Sequence, residues 1–145
     1  MTLLLCWGRL RLFPCRAHLR AHVALAEVLL ALSPRQLALK AAELAASKKA
    51  EDIVLLDLRR VTNFADYFVL CTATSDVQLR AVSDAVVDGL EMLQHEVWHS
   101  EGYDTRSWIL LDYVHIVVHV FLPETRAYYA LEKLWGDAPS EAFAG

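Results

Sequence analysis

Cysteine is scarce and scattered in this chain of 145 residues: Cys6, Cys15 and Cys71 make an odd set, with no CxxC and no Cys/His ligand spacing among them. That excludes a disulfide framework of the secreted kind and points to free thiols in a reducing compartment. Long apolar runs are missing too. Mean hydropathy is +0.30, yet no stretch of about 18 uninterrupted apolar residues occurs, so no spanning helix is expected. Basic charge is the third shortage. Residues 1–34 carry Arg9, Arg11, Arg16 and Arg20 against Glu27 alone, a balance of +3, and with −4 for the whole chain the remainder stands at −7. An acidic body argues against binding along a phosphate backbone, which draws its affinity from clustered Lys and Arg.

What is present suits one packed domain, since 56% of residues are hydrophobic and 22% charged. Ser33 reads as an N-cap, Pro34 as a first helical residue and Gln36 as the return partner of a capping box. Leu37, Ala41, Leu44 and Ala45 then repeat at helical spacing toward Lys49. Ile53 to Leu58 and Tyr67 to Thr72 read as strands, joined by the polar stretch Arg59 to Ala65. Ser75 and Gln78 repeat the capping device before a second helix, whose apolar face would be Val77, Ala81, Val82, Ala85, Val86, Leu90 and Leu93. Gly89 lowers helix propensity and suggests a close approach to the sheet. Glu96 to His99, Trp108 to Asp112 and His115 to Phe121 read as further strands. Pro123 opens a final helix through Trp135, and Pro139 ends the ordered part. The order α-β-β-α-β-β-β-α predicts an α/β fold: a single mixed sheet of about five strands, with helices packed mainly on one face.

Catalytic chemistry finds little support. His95 and His99, like His115 and His119, stand four apart. On a strand that is about 13 Å, at ~3.3 Å per residue, too far to share a zinc ion; His119 is better read as hydrogen-bonding within the sheet. Cys71 lies in an apolar strand as a small hydrophobe. Ser75 is accounted for as a cap, and Asp66, ahead of a strand, organises a turn. No metal or cofactor is expected. Alternation along Trp108 to Tyr113 puts Trp108, Leu110 and Asp112 on one face and Ile109, Leu111 and Tyr113 on the other. A sheet face left bare would offer large apolar groups to a partner.

The segments DYFVLCTATS (66–75) and WILLDYVHIVVHVF (108–121), with Arg126, Tyr128, Tyr129 and LEKLWGDAP (131–139), resemble the ribosome silencing factor family, also called Iojap. The resemblance implies a nucleotidyltransferase-like fold and a protein, not an enzyme, that represses translation by binding the large ribosomal subunit through its ribosomal protein numbered fourteen and blocking the small one. A diverged nucleotidyltransferase is the enzymatic alternative. It would need a glycine-bearing triphosphate turn and closely spaced carboxylates for metal; the turn here is Thr72-Ala73-Thr74-Ser75, and neither Asp57 nor Asp112 has a carboxylate two positions away. Carried over residue by residue, the docking region is Glu101, Gly102, Tyr103, Trp108, Leu110, Asp112 and Tyr113. Trp108 and Leu110 would be apolar anchors, Asp112 an acceptor for a basic partner and Tyr113 a rim contact, with His119 and Phe121 in support. Where the family has Gly-Asp this chain has Val114-His115. Residues 1–34 have no counterpart in the family, which implies a domain at 35–139 followed by a tail at 140–145. That extension fits an over-long start or an organellar presequence, so a cytoplasmic silencer and a large-subunit assembly factor of mitochondrion or plastid both stay open. Little direct nucleic-acid contact and no membrane contact are expected, and the first and last helices could support a homodimer.

Overall fold

A computed structural model describes residues 31–145. The expected extension therefore falls, up to residue 30, outside the described residues. Helix α1 (Pro34–Ser47) starts at the predicted cap: Ser33 Oγ accepts from the Gln36 backbone N–H at 3.3 Å, and Gln36 Oε1 accepts from the Ser33 N–H at 2.9 Å. Two N–H groups that a helix start leaves without partners are thereby satisfied. Leu37, Ala41 and Ala45 are buried as their spacing predicts, and Ala38 and Ala42 join them. These small residues allow close packing against helix α2 (Asp76–Glu91). A methyl group at Gly89 would collide with the Leu44 side chain, so this glycine admits the neighbouring helix and not the sheet.

Helix α2 is capped by Ser75 Oγ, which accepts from the Gln78 N–H at 3.1 Å. The Gln78 side chain does not close a box on Ser75. It accepts from the Thr74 N–H and hydroxyl, and donates to the Lys48 and Lys49 carbonyls, tying the end of α1 to the start of α2. The buried face is Leu79, Val82, Ser83, Val86 and Leu90. It is rotated from the predicted one: Val77 is 75% exposed, and Ala81 also faces solvent. Burial of Ser83 is possible because its hydroxyl donates to the Leu79 carbonyl at 2.9 Å, leaving no bare polar group.

Among the described residues six strands form one mixed sheet, one more than expected. They are β1 (Glu51–Asp57), β2 (Tyr67–Thr72), β3 (His99–Glu101), β4 (Trp108–Asp112), β5 (Ile116–Phe121) and β6 (Ser140–Ala142), in the order β3-β4-β5-β2-β1-β6. Only β2 and β5 run parallel. β6 lies in the stretch expected as a tail and pairs antiparallel with β1, Leu55 opposite Glu141. Three residues are too few for alternation to announce a strand. β3 begins at His99, where the predicted strand ended, and His115 lies in the turn before β5 rather than within it. The interior strands β2 and β5 are buried along their whole length.

Helices α1 and α2 cover one face. Cross-strand register arranges the other in rows: Thr72, Phe121 and Trp108; Leu70, His119, Leu110 and Glu101; Phe68, Val117, Asp112 and His99. The predicted final helix is broken. Ala130, in the left-handed conformation at φ 43°, ends α3 (Pro123–Tyr129) and opens α4 (Leu131–Leu134). Before this bend Tyr129 meets Trp108 at 4.7 Å, and beyond it the chain crosses the second face, where Trp135 meets Phe68 edge-on at 6.1 Å. Arg126 fixes the crossing: it donates to the Asp52 carbonyl at 2.6 Å, to Thr72 Oγ1 at 2.7 Å and to Glu132.

Candidate functional site

The second face is only partly covered, and its open part lies along β4. Trp108, Leu110 and Asp112 are half-buried there, while Ile109 and Leu111 are buried on the opposite, helix-bearing face. A cleft of about 360 Å³ gathers Glu101, Gly102, Trp108 and Leu110 with Thr125 and Tyr129 of α3. Four of the residues predicted for docking thus line one concavity. Tyr129 was missed as a contact. It stood among the residues of the family resemblance, but its approach to Trp108 is set by the way α3 follows β5 and packs back on the sheet, which no local pattern encodes.

Gly102 builds the hairpin that presents the cleft. Its φ is +93°, and a Cβ there would overlap the Trp108 carbonyl oxygen, so the chain between β3 and β4 can close only around a glycine. Its carbonyl accepts from the Arg106 N–H at 3.1 Å. Glu101, opposite Leu110, is exposed and bonds His99 Nε2 at 2.8 Å. Asp112 Oδ1 accepts from the Val114 N–H at 2.7 Å. Val114 occupies the left-handed region at φ 72°, where the family pattern has glycine. His115, beside it, bonds Asp66 through Nδ1 at 3.2 Å.

Two predicted contacts are not on this face. Tyr113 is 6% exposed, its ring on the helix-bearing side, and burial raises its phenol well above the ordinary range. Strand alternation sets that side, so Tyr113 cannot be a rim contact. Tyr103 also turns toward α2: the Arg80 guanidinium lies over its ring at 5.9 Å, and burial, then the neighbouring Asp84, push its hydroxyl up to about 12.

Trp108 is held by aromatic neighbours, with Phe121 stacked at 5.1 Å and Tyr129 tilted at 4.7 Å. Its indole Nε1–H donates to His119 Nδ1 at 3.3 Å. His119 is 3% exposed, and desolvation lowers its pKa to about 3. It is therefore neutral at physiological pH. With Nδ1 accepting, the proton sits on Nε2, which finds no hydrogen-bond partner.

Among the described residues no group of three or more His, Cys, Asp and Glu could hold a metal ion. Cys71 is buried and its thiol is pushed up to about 12 by desolvation. In the turn a transferase would use for triphosphate, Thr74 and Ser75 are engaged with Gln78. No helix among the described residues is long and apolar enough to cross a membrane.

Fold and site together define a small α/β protein with one mixed sheet whose second face carries an open aromatic and acidic strip along β4. The chain belongs to the ribosome silencing factor family: residues 31–144 match the family described as "Ribosomal silencing factor during starvation". It is 45% identical to the ribosomal silencing factor RsfS of Bacillus subtilis over 92 residues, 63% of this chain and 78% of that protein. With RsfS of Halalkalibacterium halodurans the identity is 39% over 110 residues, 76% of this chain and 92% of the relative. A crystal structure of a Chromobacterium violaceum protein is similar in fold, with a TM-score of 0.71 and 30% identity, covering 79% of this chain and 95% of that one.

Proposed function

We propose that this protein represses translation in the cytoplasm by docking on the large ribosomal subunit through its ribosomal protein numbered fourteen, so that the small subunit cannot join. The observation that carries the reading is the open part of the second face: the half-buried Trp108 and Leu110, the adjoining Tyr129, and the acids Glu101 and Asp112 beside them. Interfaces concentrate binding energy in such partly buried aromatic anchors, with charges at the rim setting orientation. An acidic rim suits a basic protein surface, and the net charge of −7 beyond residue 34 disfavours extended contact with RNA backbone. The action is steric and uses no cofactor and no catalytic step. A standard interface of about 1,200–2,000 Å² is enough to hold a domain of this size across the joining surface. Small subunits in excess then relieve the block by mass action.

Sedimentation with separated large subunits, small subunits and joined ribosomes, without nucleotide, tests the reading. Selective comigration with large subunits and reduced joining are expected. Trp108→Ala should weaken binding by about 30-fold or more, as for an anchor worth about 2 kcal/mol. Asp112→Asn keeps the acceptor that holds the Val114 turn and removes only the charge, which makes it the fair test of the rim. Undiminished comigration of both folded variants would discard this face as the docking site.

A further inference from the structure

We infer that His119 is a positioning residue for Trp108, turning the indole N–H inward so that the cleft is offered a hydrocarbon edge in one fixed orientation. The inference rests on the docking face proposed above and concerns how that face is prepared for its partner.

Stacking and hydrogen bonding control different motions of the indole. Phe121, nearly parallel at 24° and 5.1 Å, and Tyr129, at 4.7 Å, restrict the tilt of the ring plane. Neither decides which edge of the ring turns outward, because an aromatic neighbour accepts the ring in either sense. The bond from Nε1–H to His119 Nδ1 does decide it. An indole has a single polar atom, a donor. With that donor directed into the sheet, what remains for the half-exposed side of Trp108 is carbon.

His119 is an unfavourable choice for any purely structural purpose. Its ring sits among Phe68 at 4.7 Å, Phe121 at 5.9 Å and Trp108 at 5.8 Å, a setting that phenylalanine or leucine would fill without a polar atom. As histidine it leaves Nε2 buried with no partner. An orphaned donor in such a place costs stability, and the hydrogen bond that offsets the cost is the one accepted from Trp108. Neighbouring positions of β5 show the alternative, for Val117, Val118, Val120 and Phe121 are all apolar and buried. The acceptor is also dependable, since a site this dry keeps the imidazole neutral and its Nδ1 lone pair free.

The consequence is a specificity rule. A partner meets Trp108 through apolar contact, while polar recognition falls to Glu101 and Asp112. A freely rotating indole would present its N–H part of the time and would lose order on binding, which lowers affinity.

The experiment uses the full chain with nitrogen-15 in its tryptophans. His119→Phe keeps the aromatic volume and deletes the acceptor; His119→Asn keeps an oxygen close to the place of Nδ1. In the wild type the Trp108 indole proton, assigned by its loss in Trp108→Ala, should exchange slowly with solvent. His119→Phe should remain folded, accelerate that exchange at least tenfold and weaken large-subunit binding about tenfold. His119→Asn should restore slow exchange and recover most of the binding; a folded His119→Asn that restores neither counts against the acceptor. Unchanged indole exchange in folded His119→Phe overturns the inference, and so does faster exchange with undiminished binding. If His119→Phe does not fold, His119→Leu, which also lacks an acceptor, takes its place and is judged by the same two readings. If the wild type fails to bind large subunits, the docking proposal falls on that arm alone, and the exchange data still decide whether His119 orients Trp108.

Discussion

Gly102 and Trp108 meet backbone to backbone: a Cβ on Gly102 would overlap the Trp108 carbonyl oxygen, and Gly102 itself has a φ of +93°. Gly102→Ala should therefore destabilise the fold by about 2–4 kcal/mol, combining left-handed strain with displacement of the β3–β4 hairpin. Because the displaced carbonyl belongs to Trp108, the anchor of the proposed docking face, large-subunit binding should fall as well. Urea unfolding and sedimentation of the same variant check both outcomes.

Val114 should respond in the opposite direction. A branched side chain at φ 72° is strained, and glycine carries no such penalty. Val114→Gly should raise stability by about 1 kcal/mol, visible as a higher urea midpoint with an unchanged slope. Val114 is 54% exposed, so little packing is lost by the change.

Acid should weaken the protein through His119. Its folded pKa is about 3 against an ordinary 6.5. Between those values the unfolded chain takes up a proton that the native protein refuses. The contribution of neutral burial is thus complete above pH 6.5 and is lost as pH falls toward 3, with a slope approaching about 1.4 kcal/mol per pH unit. Between pH 7 and pH 5 the wild type should lose about 2 kcal/mol more than His119→Phe. Equal losses in the two proteins would place the acid sensitivity elsewhere.

Cys71 should be inert in the native state. It is fully buried in β2, with a thiol pushed up to about 12, and thiolate is the reactive form. In a Cys6→Ser, Cys15→Ser background, iodoacetamide at pH 8 should label the chain only as fast as it unfolds. Rapid labelling under native conditions would contradict the burial.

Local chemistry was legible in the sequence and distant packing was not. The Ser33 and Ser75 caps, the small-residue face of α1 and the strands β2, β4 and β5 follow from spacing within a few residues. The parallel pairing of β2 with β5 joins segments 49 positions apart at Tyr67 and Ile116, and no local pattern encodes it. The face of α2 was misread because Ser83 hides its hydroxyl inside the helix. Ala130 looks like a helix former, so the break that turns the chain between Tyr129 and Leu131 left no mark in the pattern. On the open part of the second face, the shared side of Trp108, Leu110 and Asp112 was readable from alternation, and that same alternation puts Tyr113 on the other side.

The sheet order has a consequence for synthesis on the ribosome. β1 and β2 can pair as soon as they emerge, but the free side of β2 waits for β5, beginning at Ile116, and the free side of β1 waits for β6, beginning at Ser140. Until then an apolar hairpin has both edges open, the condition that invites pairing with other chains. A protein whose family acts on ribosomes therefore cannot finish its own sheet until Ser140–Ala142 has left one, and shortened products should be aggregating fragments rather than weak silencers.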